Sequence, residues 1–230
     1  MKRLVSTIRC DVTLQFRNGF YAATVFVTVL WALILLQTGT FDMRWLLPPL
    51  VVGNLMVGTF SFIGGLVLLE RVEGSLTAQV VTPLRISEYL TSKVVTLTLL
   101  AVGETLIIVL LMAGWNFNAF LLIIGAVLAA TIYCLAGFIA VARYDSINEY
   151  LLPSGMYVAL LWLPLIAYMG RWRPWILYLH PLFAPLLLVE ASFETVTWWQ
   201  IVYAVVYSLA WVMLLYLASR FAFRRWIIER

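Results

Sequence analysis

Six apolar runs, each close to the ~20 residues a helix needs to cross a bilayer, take up most of this chain: residues 20–37, 46–69, 91–113, 119–142, 151–169 and 199–219. Only 11% of the 230 residues are charged and 64% are hydrophobic, against about 25% charged in ordinary soluble domains. A soluble fold of this length has no core large enough to hide that much apolar surface. The solvent is therefore lipid, where only helices and closed barrels satisfy their backbone groups. Runs of this length predict helices, so the expected fold is an all-α integral membrane domain of six spans covering residues 1–230.

The formal net charge is +4. Its distribution points to a membrane, not to nucleic acid. With the N-terminus inside, twelve of the fifteen basic residues fall in inner segments and only Arg44, Arg171 and Arg173 in outer ones. Positive-inside asymmetry then places both termini in the cytoplasm of a cell whose inner or plasma membrane holds the chain. Cys10 sits in the polar N-terminal segment and Cys134 deep in an apolar run, too far apart in setting to suggest a disulfide. The first apolar run is long and lacks a small-x-small site after it, so no cleavable signal is expected.

Residues 1–18 are not a span. Leu4, Ile8, Val12 and Phe16 recur every four residues with Val5 beside them, while Lys2, Arg3, Arg9 and Arg17 take other positions. This is the pattern of an amphipathic helix in the membrane interface. Residues 170–198 are apolar but broken by Pro174, Pro181 and Pro185. Proline ends helices, and bare irregular backbone is not tolerated against lipid. The segment is expected to form short re-entrant or interfacial helices on the outer side, covered by protein. Trp172, Trp175, Tyr178, Trp198 and Trp199 suit an aromatic belt there.

The polar interruption after the second run is longer than a connection requires. It reads Glu70-Arg71-Val72-Glu73-Gly74-Ser75-Leu76, then Thr82-Pro83-Leu84-Arg85, then Glu88-Tyr89-Leu90 and Lys93. Leu76 and Val80 fall on one helical face. Pro83 forces an extended residue before it, and Ser87-Glu88 can start the next helix. A short amphipathic helix on the cytoplasmic surface is expected across residues 70–90. It is poorly placed for chemistry and well placed to receive a push.

Signatures of catalysis are sparse. No phosphate-binding G-x-x-x-x-G-K-[ST] loop, H-E-x-x-H or paired Cys-x-x-Cys occurs. His180, the one histidine, precedes Pro181, with Glu190 and Glu194 further along. Glu104 lies inside the third run, about 15 Å along the helix from Lys93. An intramembrane carboxylate is costly and marks a functional hypothesis. Asn54 lies at similar depth on the neighbouring span. Glu104 either pins helices together, protonated or paired, or handles substrate or protons. Ser61 and Gly65, Gly125 and Ala129, and Ala126 and Ala130 are small residues four apart, suited to close helix packing within the chain or between subunits.

The stretch from Glu70 to Lys93 resembles the coupling-helix region of type-2 ABC exporter permeases, which have the fold of G-type ABC transporters. The whole chain is similar in layout: an interfacial helix, six spans, a polar helix after the second and a broken segment before the sixth. Residues 142–153 and Tyr178-Leu179-His180-Pro181 further resemble the subgroup called fluoroquinolone export permeases. The resemblance implies a permease without a nucleotide site or bound cofactor. Its partners would be a second permease, identical or homologous, and cytoplasmic ABC ATPase subunits that hold ATP and Mg. It implies that residues 71–84 dock in a groove of the ATPase, with Glu70, Arg71, Glu73, Gly74, Leu76, Pro83 and Arg85 in the coupling region. It also implies that the second and fifth spans line a substrate path, with Asn54, Phe60, Glu104, Tyr157 and Trp162 as candidates. A greasy, aromatic-rich bundle favours a hydrophobic or amphipathic substrate, drug or lipid, over an ion. Two other readings stay open at this point. One is a membrane-embedded lipid-modifying enzyme using His180 with Glu190 or Glu194, and the other is a non-catalytic scaffold.

Overall fold

The computed structural model describes residues 2–38, 44–76, 85–172 and 174–228. These form eight α-helices and no strand: α1 (Lys2–Arg17), α2 (Phe20–Thr38), α3 (Leu47–Val72), α4 (Ile86–Ala113), α5 (Ala119–Val141), α6 (Ile147–Met169), α7 (Phe183–Glu190) and α8 (Trp198–Phe223). Among them α3, α4, α5, α6 and α8 are each long and apolar enough to cross a membrane. Helix α2 passes the same test only together with α1, from which it bends by 60°. The six apolar runs of the sequence thus all become helices.

The helix ends follow local chemistry. Asn118 caps α5, its side-chain oxygen accepting from the Phe120 and Leu121 amides at 3.1 and 3.2 Å. Ser146 caps α6 in the same way through Glu149. Each cap satisfies amides that the first helical turn leaves without partners. At the start of α4 the Glu88 carboxylate accepts the Arg85 amide at 2.9 Å. The turn that closes α3 is made at Gly74, whose φ of 69° is a conformation that costs glycine little and other residues more.

Helix α5 is the central post, packed against α3, α4, α7 and α8. Its Ala126, Ala129, Ala130 and Ile132 are fully buried. Small residues there admit close neighbours. A Cβ on Gly125 would lie 3.0 Å from Leu188 of α7, and one on Gly137 would lie 2.6 Å from Ile63 and 2.9 Å from the Phe60 carbonyl. The small-residue faces of the fourth apolar run are therefore packed inside this chain. Opposite Gly137 the middle of α3 widens into a π turn, Val57–Ser61. Thr59 donates its hydroxyl back to the Leu55 carbonyl at 2.6 Å within that turn.

The proline-broken stretch folds as a 3-10 turn, Trp175–Leu179, followed by α7. Every residue of α7 is buried. The carbonyls freed by the 3-10 turn are taken up by α8: Tyr203 donates to Tyr178, and Tyr207 donates to Leu179 at 2.7 Å. Trp172, Trp175, Trp198 and Trp199 stay exposed around it. Arg173 lies outside the described residues.

Helix α1 turns its polar side inward. Val5, Val12 and Phe16 of the apolar stripe are exposed, whereas Asp11, Leu14 and Gln15 are buried where α1 lies along α4. What these inward polar residues meet defines the site below.

Candidate functional site

Where α3 ends and α4 begins, three ionised side chains are sealed from solvent. Lys93, two turns inside α4, donates from its ammonium to Asp11 of α1 and to Glu70 of α3. Their exposures are 1% for Lys93 and Asp11 and 0% for Glu70. The second oxygen of each carboxylate is also occupied. Tyr89 donates to Glu70 at 2.7 Å, and Ser92 donates to Asp11. One turn further in, Gln15 donates to Thr96 at 2.8 Å. The Tyr89 ring lies beneath the ammonium at 5.0 Å and packs on Phe138 and Phe223. The node therefore rests on an aromatic floor built from α4, α5 and α8.

A buried ion pair contributes little net stability against an apolar replacement, but breaking it by removing one partner costs about 3–5 kcal/mol. The node therefore fixes geometry: α1, α3 and α4 cannot part without stranding a charge in apolar surroundings. Two further contacts extend the lock. Arg71 donates to the Asp145 carboxylate, to the Ala142 carbonyl and to the Trp226 carbonyl, tying α3 to the α5–α6 corner and the C-terminal turn. Arg17 grips both oxygens of Glu73 at 2.7 and 2.8 Å, tying the end of α1 to the end of α3.

This changes the picture of the polar interruption. Glu70 is not part of an exposed face. Arg71 and Glu73 both reach back to the bundle, and Leu76 is 4% exposed and belongs to the core. Gly74 supplies the turn and Arg85 the start of α4. Pro83, with Val80, Val81 and the rest of residues 77–84, lies outside the described residues.

The path candidates separate. Asn54 and Glu104 do come together across α3 and α4, although Asn54 Nδ2 and Glu104 Oε1 lack a hydrogen-bond partner among the described residues. Phe60 is buried in the π turn beside Gly137. Trp162 on α6 donates its indole N–H to the Met56 sulfur at 3.1 Å, and Tyr157 is half-buried against the core. The outer stretch does not assemble a catalytic set. Glu190 and Glu194 share a cleft of about 310 Å³ with Trp45, Tyr168 and Arg171, which His180 does not line. His180 instead accepts the Leu182 amide at 3.3 Å. Burial pushes its imidazole below the ordinary value, against a backbone hydrogen bond to Leu160 that pulls the other way.

Asp11 is the member of the node that sequence reasoning missed. Its signal was its partner: a lysine two turns inside an apolar helix requires an acid close by.

Comparison with known proteins agrees with the layout. Residues 2–230 match the Fluoroquinolones export permease protein family. Two curated relatives, both named Fluoroquinolones export permease protein and both from strains of Mycobacterium tuberculosis, are each 32% identical over 233 residues. The alignment covers 100% of this chain and 98% of each relative. A full-length match of this kind, on a bundle of membrane-length helices, places the chain in the Fluoroquinolones export permease protein family.

Proposed function

We propose that this chain is the permease subunit of an ATP-driven exporter, paired with a second permease and driven by cytoplasmic ABC ATPase subunits that bind ATP and Mg. The observation that carries the reading is the buried node. Residues 77–84 connect α3 to α4, and the two helix ends that flank them are clamped to each other and to α1 by Lys93. A push delivered between those ends would move three helices as one rigid body, the kind of motion alternating access needs. Arg71 would pass the same displacement to α5, α6 and α8. Both termini are cytoplasmic in this reading, which puts the node on the ATPase side.

The names of the curated relatives support export as the direction and a fluoroquinolone, an amphipathic drug, as one substrate. Helix α6 supports the pairing, since Leu151, Leu152, Met156 and Leu160 along it are exposed and suit a second permease or lipid. Affinity capture of the tagged chain from its native membrane, with mass spectrometry of what is retained, tests the assembly. An ABC ATPase retained in comparable amount is expected. Its absence from a capture that preserves other membrane complexes would overturn the reading.

A further inference from the structure

A groove of about 580 Å³ runs along the side of the bundle between α2 and α4, closed at one end by Ile8 and Val12 of α1. Its rim is apolar and open, with Val25, Val29, Leu99 and Ile107 all exposed. Its wall carries two polar side chains that each keep one buried oxygen without a partner among the described residues. Glu104 is 5% exposed and Thr24 is 7% exposed, and neither Glu104 Oε1 nor the Thr24 hydroxyl has a hydrogen-bond partner among the described residues. Buried polar groups without partners are rare and expensive. Asn54 meets the Glu104 carboxylate across α3 and α4, yet Oε1 stays open, unlike the carboxylate oxygens of Glu70 and Asp11 in the node. Among the described residues no basic side chain lines the groove, and Glu104 is the one acidic side chain that does.

We propose that this groove is a lateral binding site for an amphipathic cation, with the Glu104 carboxylate as counter-ion and the α2 and α4 side chains around the apolar body. The site rests on the exporter reading for its purpose, as a place where cargo enters from the acyl-chain region. Its existence is testable without an ATPase. An uncharged acyl chain would fill the same space but leave Glu104 Oε1 without a partner, so charge complementarity selects the cation. A cation seated there relieves the cost of a carboxylate oxygen left without a partner in an apolar setting.

The test is equilibrium binding to the permease alone in nanodiscs of zwitterionic lipid. The probes are tetraphenylphosphonium and tetraphenylborate, which share a shape and differ in charge. Two variants separate binding from folding. Glu104→Gln keeps the side-chain shape without the charge. Gly103→Leu projects into the groove, and a Cβ at Gly103 meets nothing within 4 Å; an unchanged melting temperature checks that the variant stays folded. The expected result is saturable tetraphenylphosphonium binding that weakens at least tenfold in both variants, with no saturable binding of tetraphenylborate. Undiminished cation binding in both variants, equal binding of the two probes, or loss in Gly103→Leu alone would overturn the proposal. Because no nucleotide is present, failure here leaves the ATPase reading untouched.

Discussion

Replacing Lys93 by methionine tests the node most severely. Methionine keeps an unbranched apolar stem, one atom shorter, and removes the ammonium, so Asp11 and Glu70 are left facing each other in a pocket with no cation. Removing one partner of a buried pair costs about 3–5 kcal/mol. For a chain of this size, about 2–4 °C of melting temperature accompanies each kcal/mol. The expected fall is therefore roughly 6–20 °C, read as loss of monodisperse protein on heating in detergent. Glu70→Gln leaves the Lys93–Asp11 pair intact and should lose less than half as much. Neutralising all three residues together (Asp11→Asn, Glu70→Gln, Lys93→Met) should cost less than the sum of the single losses, because coupled charges are not additive. A Lys93→Met protein melting within 2 °C of wild type, or strictly additive losses, would refute the account of the node.

Other consequences are as direct. Gly137→Val places methyl groups where a Cβ alone would already lie 2.6 Å from Ile63, so the π turn must move and folded yield should drop sharply; yield near wild type would show that α3 and α5 are not in close contact. Because burial holds the His180 imidazole below its ordinary value, the unfolded chain binds the extra proton first; stability is fully present above a pH of about 6.5 and falls as pH drops through that value. His180→Phe should remove that part of the acid slope between pH 7.5 and 5.5, and an unchanged slope would contradict it. Trp175→Cys, at a position 77% exposed, should react with an impermeant thiol reagent added outside intact cells; reaction only after the cytoplasmic face is opened would reverse the proposed orientation.

The spans were legible because each apolar run is long enough to decide its own structure, and the structure moves their ends by only a few residues. The caps at Asn118 and Ser146 depend on nearest neighbours. The roles of the charged residues were far less readable. Glu70, Arg71 and Glu73 read in sequence as a solvated surface because charge usually is solvated. Glu70 is buried against Lys93, Arg71 reaches Asp145 and Glu73 pairs with Arg17, all contacts between residues too far apart in sequence to be read from it; the same holds for α1 folding back along α4, a contact between residues about eighty positions apart. The inward face of α1 was hidden for the same reason: its apolar stripe is the outer face, and Asp11 and Gln15 turn inward only because Lys93 and Thr96 are there to receive them. The pairing of Asn54 with Glu104 was readable, since depth in a membrane is a coordinate that sequence supplies. The groove beside Glu104 was not, because it is made by the spacing of α2 from α4.

The central claim is that ATP hydrolysis on a partner chain is relayed through the clamped ends of α3 and α4. ATP-dependent fluoroquinolone uptake into inside-out vesicles, measured beside ATP hydrolysis by the captured complex, tests it most directly. Glu70→Gln, which loosens the clamp while leaving one ion pair, is the variant to compare. The account predicts uptake that requires ATP in the wild-type complex. In Glu70→Gln it predicts hydrolysis near the wild-type rate with uptake reduced several-fold, the two activities uncoupled. Uptake that proceeds without ATP, or a Glu70→Gln complex whose uptake per ATP equals that of wild type, would contradict it.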